Sequence, residues 1–324
     1  MNPAPDRLFA ATAAKFPPGR FVVALSGGPD SAVLAWLASQ LEVPQRGRAV
    51  FVHHGWPESA ALLSAAEAVA GVVGLPLETI TVDVTTSEGA ARVLRLEALE
   101  RAAAGDAIVT GHHADDLAET TLLNLMRGAG AAGIAGIPFR RGPYVRPLLA
   151  VRRDTIRETA EALGLPFVDD PANLALEHPR NVIRADVVPR LSGVSHGAVE
   201  GIVRSAALAA ADDVQIEAAA AAVPLRSEWG AISLPAAAVR ALPAAVTSRV
   251  IRRALRRLRP PYAGDLRQVE TVMAAAEGSA ADLGGGLRVV REGALITVYD
   301  TEASVQAPPA VDVPLTGSVE FVHH

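Results

Sequence analysis

Short apolar runs alternate with amphipathic segments along the first half of the chain. The apolar runs have the length of buried parallel strands, and they cover residues 21–25, 49–53, 79–84 and 107–110, with a fifth strand expected over 144–149. The segments between them have helical spacing and cover residues 31–41, 59–73, 88–104 and 112–126. This order predicts an α/β fold with an open, mostly parallel, doubly wound sheet and helices on both faces.

The second half of the chain has a different pattern. A long alanine-rich helix is predicted first, prolines then divide the chain into short pieces, and two shorter helices precede a glycine-turned hairpin. These elements cover residues 195–222, 247–258, 265–276 and 282–298. We therefore predict an α/β domain over 1–192, a mainly helical linker over 193–240 and a small α+β C-terminal domain over 241–324.

The composition excludes several classes of protein. The chain has no cysteine, which excludes disulfides, thiolate zinc sites, iron–sulfur clusters and cysteine nucleophiles. Its only lysine is Lys15, so no Gly-Lys-Ser/Thr sequence exists and a Walker A loop is excluded. No uncharged apolar stretch reaches the roughly 18 residues of a membrane span, and charges near the N-terminus argue against a signal peptide. We expect a cytoplasmic protein with no membrane partner.

A glycine-rich loop between the first strand and the next helix is the strongest local signal. It consists of Ser26, Gly27, Gly28, Pro29, Asp30 and Ser31. The glycines let the backbone approach an anion closely, and the serine hydroxyls, the loop amides and the helix N-terminus together suit a phosphate. Asp30 is unusual in an anion site unless it faces a metal ion or orients the loop. The alternative is an ordinary serine–glycine turn that caps a helix.

A second group of polar residues follows the fourth strand and is expected at the same edge of the sheet. Helical spacing places His112, Asp116 and Glu119 on one face, four and seven residues apart. A histidine and two carboxylates beside a phosphate loop suit a cation, either a metal, an ammonium group or both. The alternative is an exposed acidic helix start, because acidic residues favour first turns. His53 and His54 end the second strand at this edge. They are either neighbours of a bound nucleotide or structural residues.

An arginine-rich helix is predicted in the C-terminal region. Its arginines recur at helical spacing and form one basic stripe, which consists of Arg249, Arg252, Arg253, Arg256 and Arg257. Such a face suits the phosphate backbone of RNA, and a solvated arginine-rich helix is the alternative. Because the formal net charge of the chain is −5, any contact with RNA must be local.

Several of these segments resemble motifs of known families. The loop at 26–31 resembles the SGGxDS signature of the PP-loop ATP pyrophosphatases, and residues 111–130 resemble the AHxxDDxxET…RGxG segment of the tRNA(Ile)-lysidine synthetases. Further matches in family order are Arg92 with Arg95 (ARxxRY), residues 146–149 (RPLL), residues 170–173 (DxxN) and Arg180 with Arg184 (RNxxR). Gly111 replaces the usual alanine, and Leu96 replaces the usual tyrosine. The short C-terminal region resembles that of the compact family members.

The resemblance implies an adenine nucleotide α-hydrolase-like fold and a specific ligase reaction. ATP, with Mg²⁺, would adenylate O2 of the wobble cytidine in a tRNA(Ile) with anticodon CAU and release pyrophosphate. Free L-lysine would then attack C2 and release AMP. The product, lysidine, would change codon reading from AUG to AUA and amino-acid identity from methionine to isoleucine.

The resemblance also implies which residues bind ATP and metal. The α/β domain would be the catalytic domain, and its loop at 26–31 would bind ATP together with His53 and Gly111. The residues next to Mg²⁺ would be Asp30 and Asp116.

The remaining candidate residues would act on lysine and on RNA. Asp116 and Glu119 would bind or deprotonate lysine, and His112 would move a proton or contact the nucleotide. Phosphate or the activated intermediate would be neutralised by Arg92, Arg95, Arg180 and Arg184. The basic stripe of the C-terminal domain would hold the tRNA.

Other activities of this class need features that the chain lacks. A tRNA thiolase generally needs cysteines, and a glutamine-dependent amidating synthetase needs an ammonia source whose cysteine nucleophile is absent. A nucleotide-binding protein without catalysis has no need of the acidic group beside the loop. Formation of AMP and pyrophosphate only when RNA is present would identify an enzyme. The sequence leaves a monomer and a homodimer open.

Overall fold

The structure is a computed structural model that describes residues 4–42, 47–53, 55, 59–82, 88–169, 178–228, 230–260, 262 and 264–302. The chain forms two compact units, Met1–Asp213 and Val214–His324. Within the described ranges, every helix is too short or too polar to cross a membrane.

The first unit is built on a six-stranded sheet. Its strands are β1 (Phe21–Ala24), β2 (Arg48–His53), β3 (Leu77–Thr81), β4 (Ala107–Val109), β5 (Arg140–Arg141) and β6 (Tyr144–Val145). They lie in the order β3-β2-β1-β4-β6-β5, and every neighbouring pair is parallel except β5 and β6. The prediction of a mostly parallel α/β sheet is confirmed. The predicted strand over 144–149 is too long, because Pro147 cannot donate to a ladder and β6 ends at Val145.

Helices cover both faces of this sheet. The described helices that begin in this unit, only some of which pack on the sheet, are α1 (Ala4–Thr12), α2 (Pro29–Ser39), α3 (Ser59–Val73), α4 (Glu88–Ala103), α5 (Ala114–Met126), α6 (Ala131–Ile134), α7 (Arg153–Ala162), α8 (Pro179–Val182), α9 (Val188–Val194) and α10 (Ala198–Ala221). In β1, Phe21 and Val23 pack into one apolar cluster, and Val22 packs into another. Because successive side chains of a strand point to opposite faces, this strand is apolar throughout.

The sheet order reverses at β1, which places the two polar motifs next to each other. β1 pairs with β2 on one side and with β4 on the other. The glycine-rich loop follows β1, and residues 110–113 follow β4. In open α/β sheets, ligands bind outside the carboxyl ends of the strands at such a switch point.

The second unit is an antiparallel sheet with three helices. Its strands are β7 (Arg226–Glu228), β8 (Ala231–Pro235), β9 (Ala280–Gly284), β10 (Leu287–Glu292) and β11 (Leu295–Asp300), and its helices are α11 (Ala236–Ala241), α12 (Ala244–Leu258) and α13 (Leu266–Ala274). The sheet order is β7-β8-β11-β10-β9, so the predicted hairpin over 282–298 is part of a three-strand meander. β7 and β8 fall inside the predicted linker, yet they belong to this sheet because Ile232 and Leu234 enter its core with Ile296 and Val298.

Candidate active site

The glycine-rich loop is held closed by its two serines. Ser31 Oγ accepts a hydrogen bond from the backbone N–H of Ser26 at 3.1 Å and donates to the carbonyl of Gly28 at 2.9 Å. Gly28 is the N-cap of α2, and Pro29 occupies the first helical position. No described side chain caps this helix, so its first N–H groups are available to an anion.

Gly27 allows this loop to pack against α3. Its φ is +84°, and a Cβ at this position would overlap the backbone carbonyl oxygen of Leu62 in α3. The Gly27 carbonyl also accepts a hydrogen bond from the N–H of Val168 at 3.0 Å. A side chain is therefore excluded both by backbone conformation and by space.

Asp30 lies on the first turn of α2, directly after the loop. Its Oδ2 is 3.7 Å from Nε2 of His113, and its Oδ1 is buried without a hydrogen-bond partner among the described residues. Burial raises the pKa of Asp30, and the neighbouring His113 opposes this effect. The loop therefore presents an unpaired carboxylate oxygen.

Gly111, which follows β4, packs directly against the backbone of Asp30. A Cβ at position 111 would lie 3.1 Å from the carbonyl carbon of Asp30 and 3.2 Å from its oxygen. We expect Gly111→Ala to displace Asp30 by a few tenths of an ångström and to raise the KM for ATP by less than about tenfold. Steady-state kinetics would measure the change. Gly71→Ala is the control because a Cβ there has nothing within 4 Å, and equal KM values for the two variants would contradict the prediction.

The second polar motif forms the start of α5. His113 is the N-cap: its Nδ1 accepts a hydrogen bond from Asp116 N at 3.3 Å, and its own N–H donates to Asp116 Oδ2 at 3.1 Å. The helix therefore begins at Ala114, and the prediction that His112 lies on its face is wrong. The reciprocal bonds of this capping box set the N-cap at His113, so His112 lies just before the helix.

Glu119 is buried among three arginines. Its side chain is 1% exposed. Oε1 accepts hydrogen bonds from Arg153 Nη2 at 2.9 Å and Arg184 Nε at 2.8 Å. Oε2 accepts from Arg180 Nε and Arg184 Nη2, both at 3.0 Å. Both oxygens of this buried carboxylate are therefore paired with guanidinium groups.

Asp116 shares two of these arginines. Its Oδ1 accepts hydrogen bonds from Arg180 Nη2 at 2.9 Å and Arg184 Nη2 at 3.1 Å. Burial alone would raise the pKa of Asp116, but His113 and Arg180 together hold it below its ordinary value. Asp116 and Glu119, which we call the acidic pair, are thus two buried carboxylates linked by common guanidinium groups.

Arg153 is a member of this cluster that the sequence analysis missed. It stands next to Arg152 at the first turn of α7, where the helix dipole disfavours cations. Two adjacent arginines at a helix start therefore need nearby carboxylates to offset their charge. This pair of residues is the sequence signal that could have identified Arg153. Arg152 contacts Asp115, and Arg153 contacts Glu119.

His112 precedes the N-cap and has an unusually low pKa. Its Nδ1 lies 2.9 Å from Thr110 Oγ1. Burial lowers the pKa of His112 to about 4, and Arg146, Arg180 and Arg92 add to the effect against the opposing charge of Asp116. The imidazole is therefore neutral at pH 7 and takes up a proton only in acid.

We expect His112 to destabilise the protein in mild acid. Its folded pKa of about 4 lies below the ordinary value of 6.5, so the unfolded chain binds more protons between these pH values. His112→Gln should remove this effect, and the variant should gain roughly 2–3 kcal/mol relative to the wild type as the pH falls from 7 to 4. Urea unfolding across this range measures the difference. The exposed His196→Gln is the control, and a pH-independent difference for His112→Gln would contradict the assignment.

The other predicted residues lie in several places. Arg92 and Arg95 are on exposed positions of α4. Leu96 packs beside the apolar cluster of one sheet face, and its carbonyl accepts a hydrogen bond from Tyr144 Oη at 3.2 Å. His53 ends β2, where its Nδ1 accepts from the N–H of Gly55 at 3.0 Å. His54 and residues 170–173 lie outside the described residues.

Comparison with known proteins assigns both units. A PP-loop domain matches residues 2–191, and a TilS substrate binding domain matches residues 234–293. A tRNA(Ile)-lysidine synthase of Salinispora tropica is 39% identical over 89% of this chain and 93% of its own length. The chain belongs to the tRNA(Ile)-lysidine synthase family. The enzyme of that name from Thermobifida fusca is 37% identical over 73% of this chain and 77% of its own.

Membership of the tRNA(Ile)-lysidine synthase family makes the chain an ATP-using ligase of the PP-loop class. Among solved structures, the U34-tRNA thiolase NcsA from Methanococcus maripaludis has the same fold, with a TM-score of 0.53 at 20% identity. That likeness covers 63% of this chain and 76% of the thiolase. The expected adenine nucleotide α-hydrolase-like fold is confirmed.

The basic stripe lies on α12, inside the region that matches the substrate binding domain of this synthase family. Arg249 and Arg253 approach Glu217 at 3.0 and 3.5 Å, and Arg252 donates to the carbonyl of Gly264. The side chains of Arg256 and Arg257 are on exposed positions. The stripe is therefore partly engaged within its own unit and partly open to solvent.

Magnesium, which ATP use in this family implies, fits Asp30 better than Asp116. The unpaired Oδ1 of Asp30 is a hard oxygen donor beside the phosphate loop. Both oxygens of Asp116 already accept hydrogen bonds, so it would bind a metal only after those contacts change. The described residues contain no cluster of three metal-binding side chains.

Proposed function

We propose that this protein ligates free L-lysine to C2 of the wobble cytidine in tRNA(Ile) with anticodon CAU. ATP adenylates O2 of that cytidine first, and the product, lysidine, reads AUA instead of AUG and specifies isoleucine instead of methionine. The observation that carries the proposal is the buried acidic pair, which follows β4 at the same edge of the sheet as the glycine-rich loop. Its family membership supports the same reaction.

In the first step, the protein holds ATP for attack at its α-phosphorus. Oxygen O2 of the cytidine forms a bond to this phosphorus, and the bond to pyrophosphate breaks. The loop amides and the start of α2 bind the phosphates, and Arg184 and Arg180 neutralise developing charge. Mg²⁺, held by Asp30, would supply further charge neutralisation on the phosphate oxygens. His53 and Gly111 border the nucleotide at the same edge of the sheet.

In the second step, the acidic pair prepares the nucleophile. The ε-amine of lysine has an ordinary pKa of about 10.4, so lysine arrives as an ammonium ion. Asp116 and Glu119 bind this cation in place of guanidinium groups, and one proton moves to a carboxylate while neutral His112 contacts the nucleotide. The free amine then forms a bond to C2, the C2–O bond to AMP breaks, and AMP leaves.

We assign the RNA contact to the basic stripe of α12. Arg256 and Arg257 supply exposed charge, while Arg249, Arg252 and Arg253 join once their internal contacts are exchanged for phosphates. We assign exposed Arg92 of α4 to charge neutralisation of the intermediate, and its electrostatic effect on His112 supports this role. Affinity carried by such contacts falls steeply with added salt.

One assay tests the proposal. Purified protein is incubated with ATP, Mg²⁺, labelled lysine and a tRNA(Ile) transcript with anticodon CAU. We expect label at the wobble cytidine together with AMP and pyrophosphate, loss of the label in Asp116→Ala, and retention in the control Asp212→Ala. Asp212 is on an exposed position of α10. Arg256→Gln/Arg257→Gln should weaken tRNA binding and reduce its salt dependence.

Two results would overturn the proposed function. Cleavage of ATP without lysine transfer would indicate a different nucleophile on the same PP-loop chemistry. ATP binding without any turnover, with a correctly folded tRNA, would indicate a nucleotide-binding protein.

A further inference from the structure

Asp115 is a buried carboxylate on the first turn of α5 that joins this helix to α7. Its side chain is 9% exposed. Oδ2 accepts a hydrogen bond from the backbone N–H of Arg153 at 2.8 Å, and Oδ1 lies 3.2 Å from Arg152 Nη2. Arg152 Nη1 also reaches Glu200 Oε1 of α10 at 2.8 Å. Asp115 therefore acts as the cap of a helix to which it does not belong.

This arrangement replaces the usual way of starting a helix. The N-cap of α7 is Arg152, whose side chain makes no capping hydrogen bond. The N–H of Arg153 would be left without a partner, and the carboxylate from α5 satisfies it instead. The negative charge of Asp115 also offsets the two arginines at the positive end of the helix dipole.

The bond from Asp115 fixes the position of Arg153, which also contacts Glu119. The same Arg153 whose backbone binds Asp115 donates from Nη2 to Glu119 Oε1 at 2.9 Å. α7 is anchored by its buried residues Ile156, Thr159 and Ala160. Arg153 therefore reaches Glu119 from a helix held at both its first residue and its buried face.

We propose that Asp115 is a positioning residue that acts through Arg153 to orient the Glu119 carboxylate. This inference rests on the proposed function, because it assigns Glu119 to the lysine site. When lysine displaces Arg180 or Arg184 from the acidic pair, Arg153 keeps one oxygen of Glu119 fixed. In this proposal Asp115 acts on transfer through the start of α7, and its Oδ2 also lies 3.8 Å from Nδ1 of His113, the N-cap of α5.

A double-mutant cycle in transfer kinetics tests this path. Asp115→Asn should raise the KM for lysine about tenfold and change the KM for ATP less than about twofold, and Arg153→Gln should do the same. The double variant should be no worse than the worse single variant, because both changes break one path. Effects that multiply across the cycle, or an equal rise in both KM values, would overturn the proposal.

A matched control separates positioning from general stability. Glu200→Gln breaks the outer contact of Arg152 and leaves the bonds from Asp115 to Arg153 intact. We expect the lysine KM of this variant to match the wild type even if its unfolding midpoint falls. A rise in lysine KM equal to that of Asp115→Asn would show that loosening α7 is sufficient, against the proposal.

A second measurement keeps the inference testable without turnover. If the wild type transfers no lysine, the proposed function fails, and urea unfolding then tests the link directly. The shift of the unfolding midpoint in Asp115→Asn/Glu119→Gln should be smaller than the sum of the two single shifts. Additive shifts would show that Asp115 does not position Glu119.

Discussion

Replacing Glu119 by glutamine is expected to reduce lysine transfer by at least about a thousandfold, because the variant loses a carboxylate to which we assign binding and deprotonation of the amine. Because the variant also loses the charge that pairs with the three arginines, it is expected to lower the free energy of unfolding by roughly 3 kcal/mol. The amide would have to face three guanidinium groups with only one acceptor oxygen, while burial leaves no water to replace the second. The partial exposure of the arginines keeps the cost at the lower end.

The control for this change is Glu161→Gln on α7. Glu161 is 59% exposed and lies 3.2 Å from Arg157, so the variant loses an ion pair at the surface. We expect it to lose less than about 1 kcal/mol of unfolding free energy and to retain full transfer. Transfer assays and urea unfolding on both variants make the comparison. Glu119→Gln with wild-type transfer would remove Glu119 from the mechanism.

Gly27→Ala is expected to abolish measurable use of ATP. The methyl group would meet the Leu62 carbonyl of α3, and alanine at φ +84° adds backbone strain of about 1–2 kcal/mol. The glycine-rich loop must move away from α3 to remove this overlap. The backbone amides that we assign to phosphate binding would move with it. We expect the apparent affinity for ATP to fall more than about a hundredfold.

Gly74→Ala provides the matched control. Its φ of +69° imposes the same kind of strain, but a Cβ there has nothing within 4 Å. This variant should lose about 1 kcal/mol of stability and bind ATP normally, as measured by calorimetric titration. If the two variants bind ATP equally well, the contact with α3 does not determine the shape of the loop.

The sheet of the first unit was predictable because its central strands are apolar on both faces. Phe21 and Val22 read directly as a buried strand, and the glycines after them mark its end. β5 is only two residues long and carries Arg140 and Arg141, so it has no apolar pattern to detect. Its pairing with β6 depends on tertiary contacts.

The acidic pair was predictable, whereas its partners were not. Spacing along a helix relates Asp116 to Glu119, because both lie within one element. Arg153 and Arg184 come from other elements, and only the packing of α5 against them brings their charges together. The start of α5 was misplaced because a histidine N-cap lies outside the usual cap preferences.

The basic stripe illustrates the same limit in the second unit. Its helical periodicity is correct, and α12 carries all five arginines. Sequence spacing could not show that Glu217 of α10 would engage Arg249 and Arg253.

All the cations that contact Glu119 in the described part of the chain are arginines, so none of them is an amine that could react with an activated substrate. A guanidinium group stays protonated at neutral pH and, in the reaction that we propose, does not attack the activated base. A lysine at any of these three positions would be an amine tethered beside the activated cytidine, at an effective concentration that no free amino acid reaches. Lys15 is the only lysine in the chain. In the reaction that we propose, RNA becomes electrophilic toward amines, and this protein carries almost no side-chain amine that could cross-link it to that RNA.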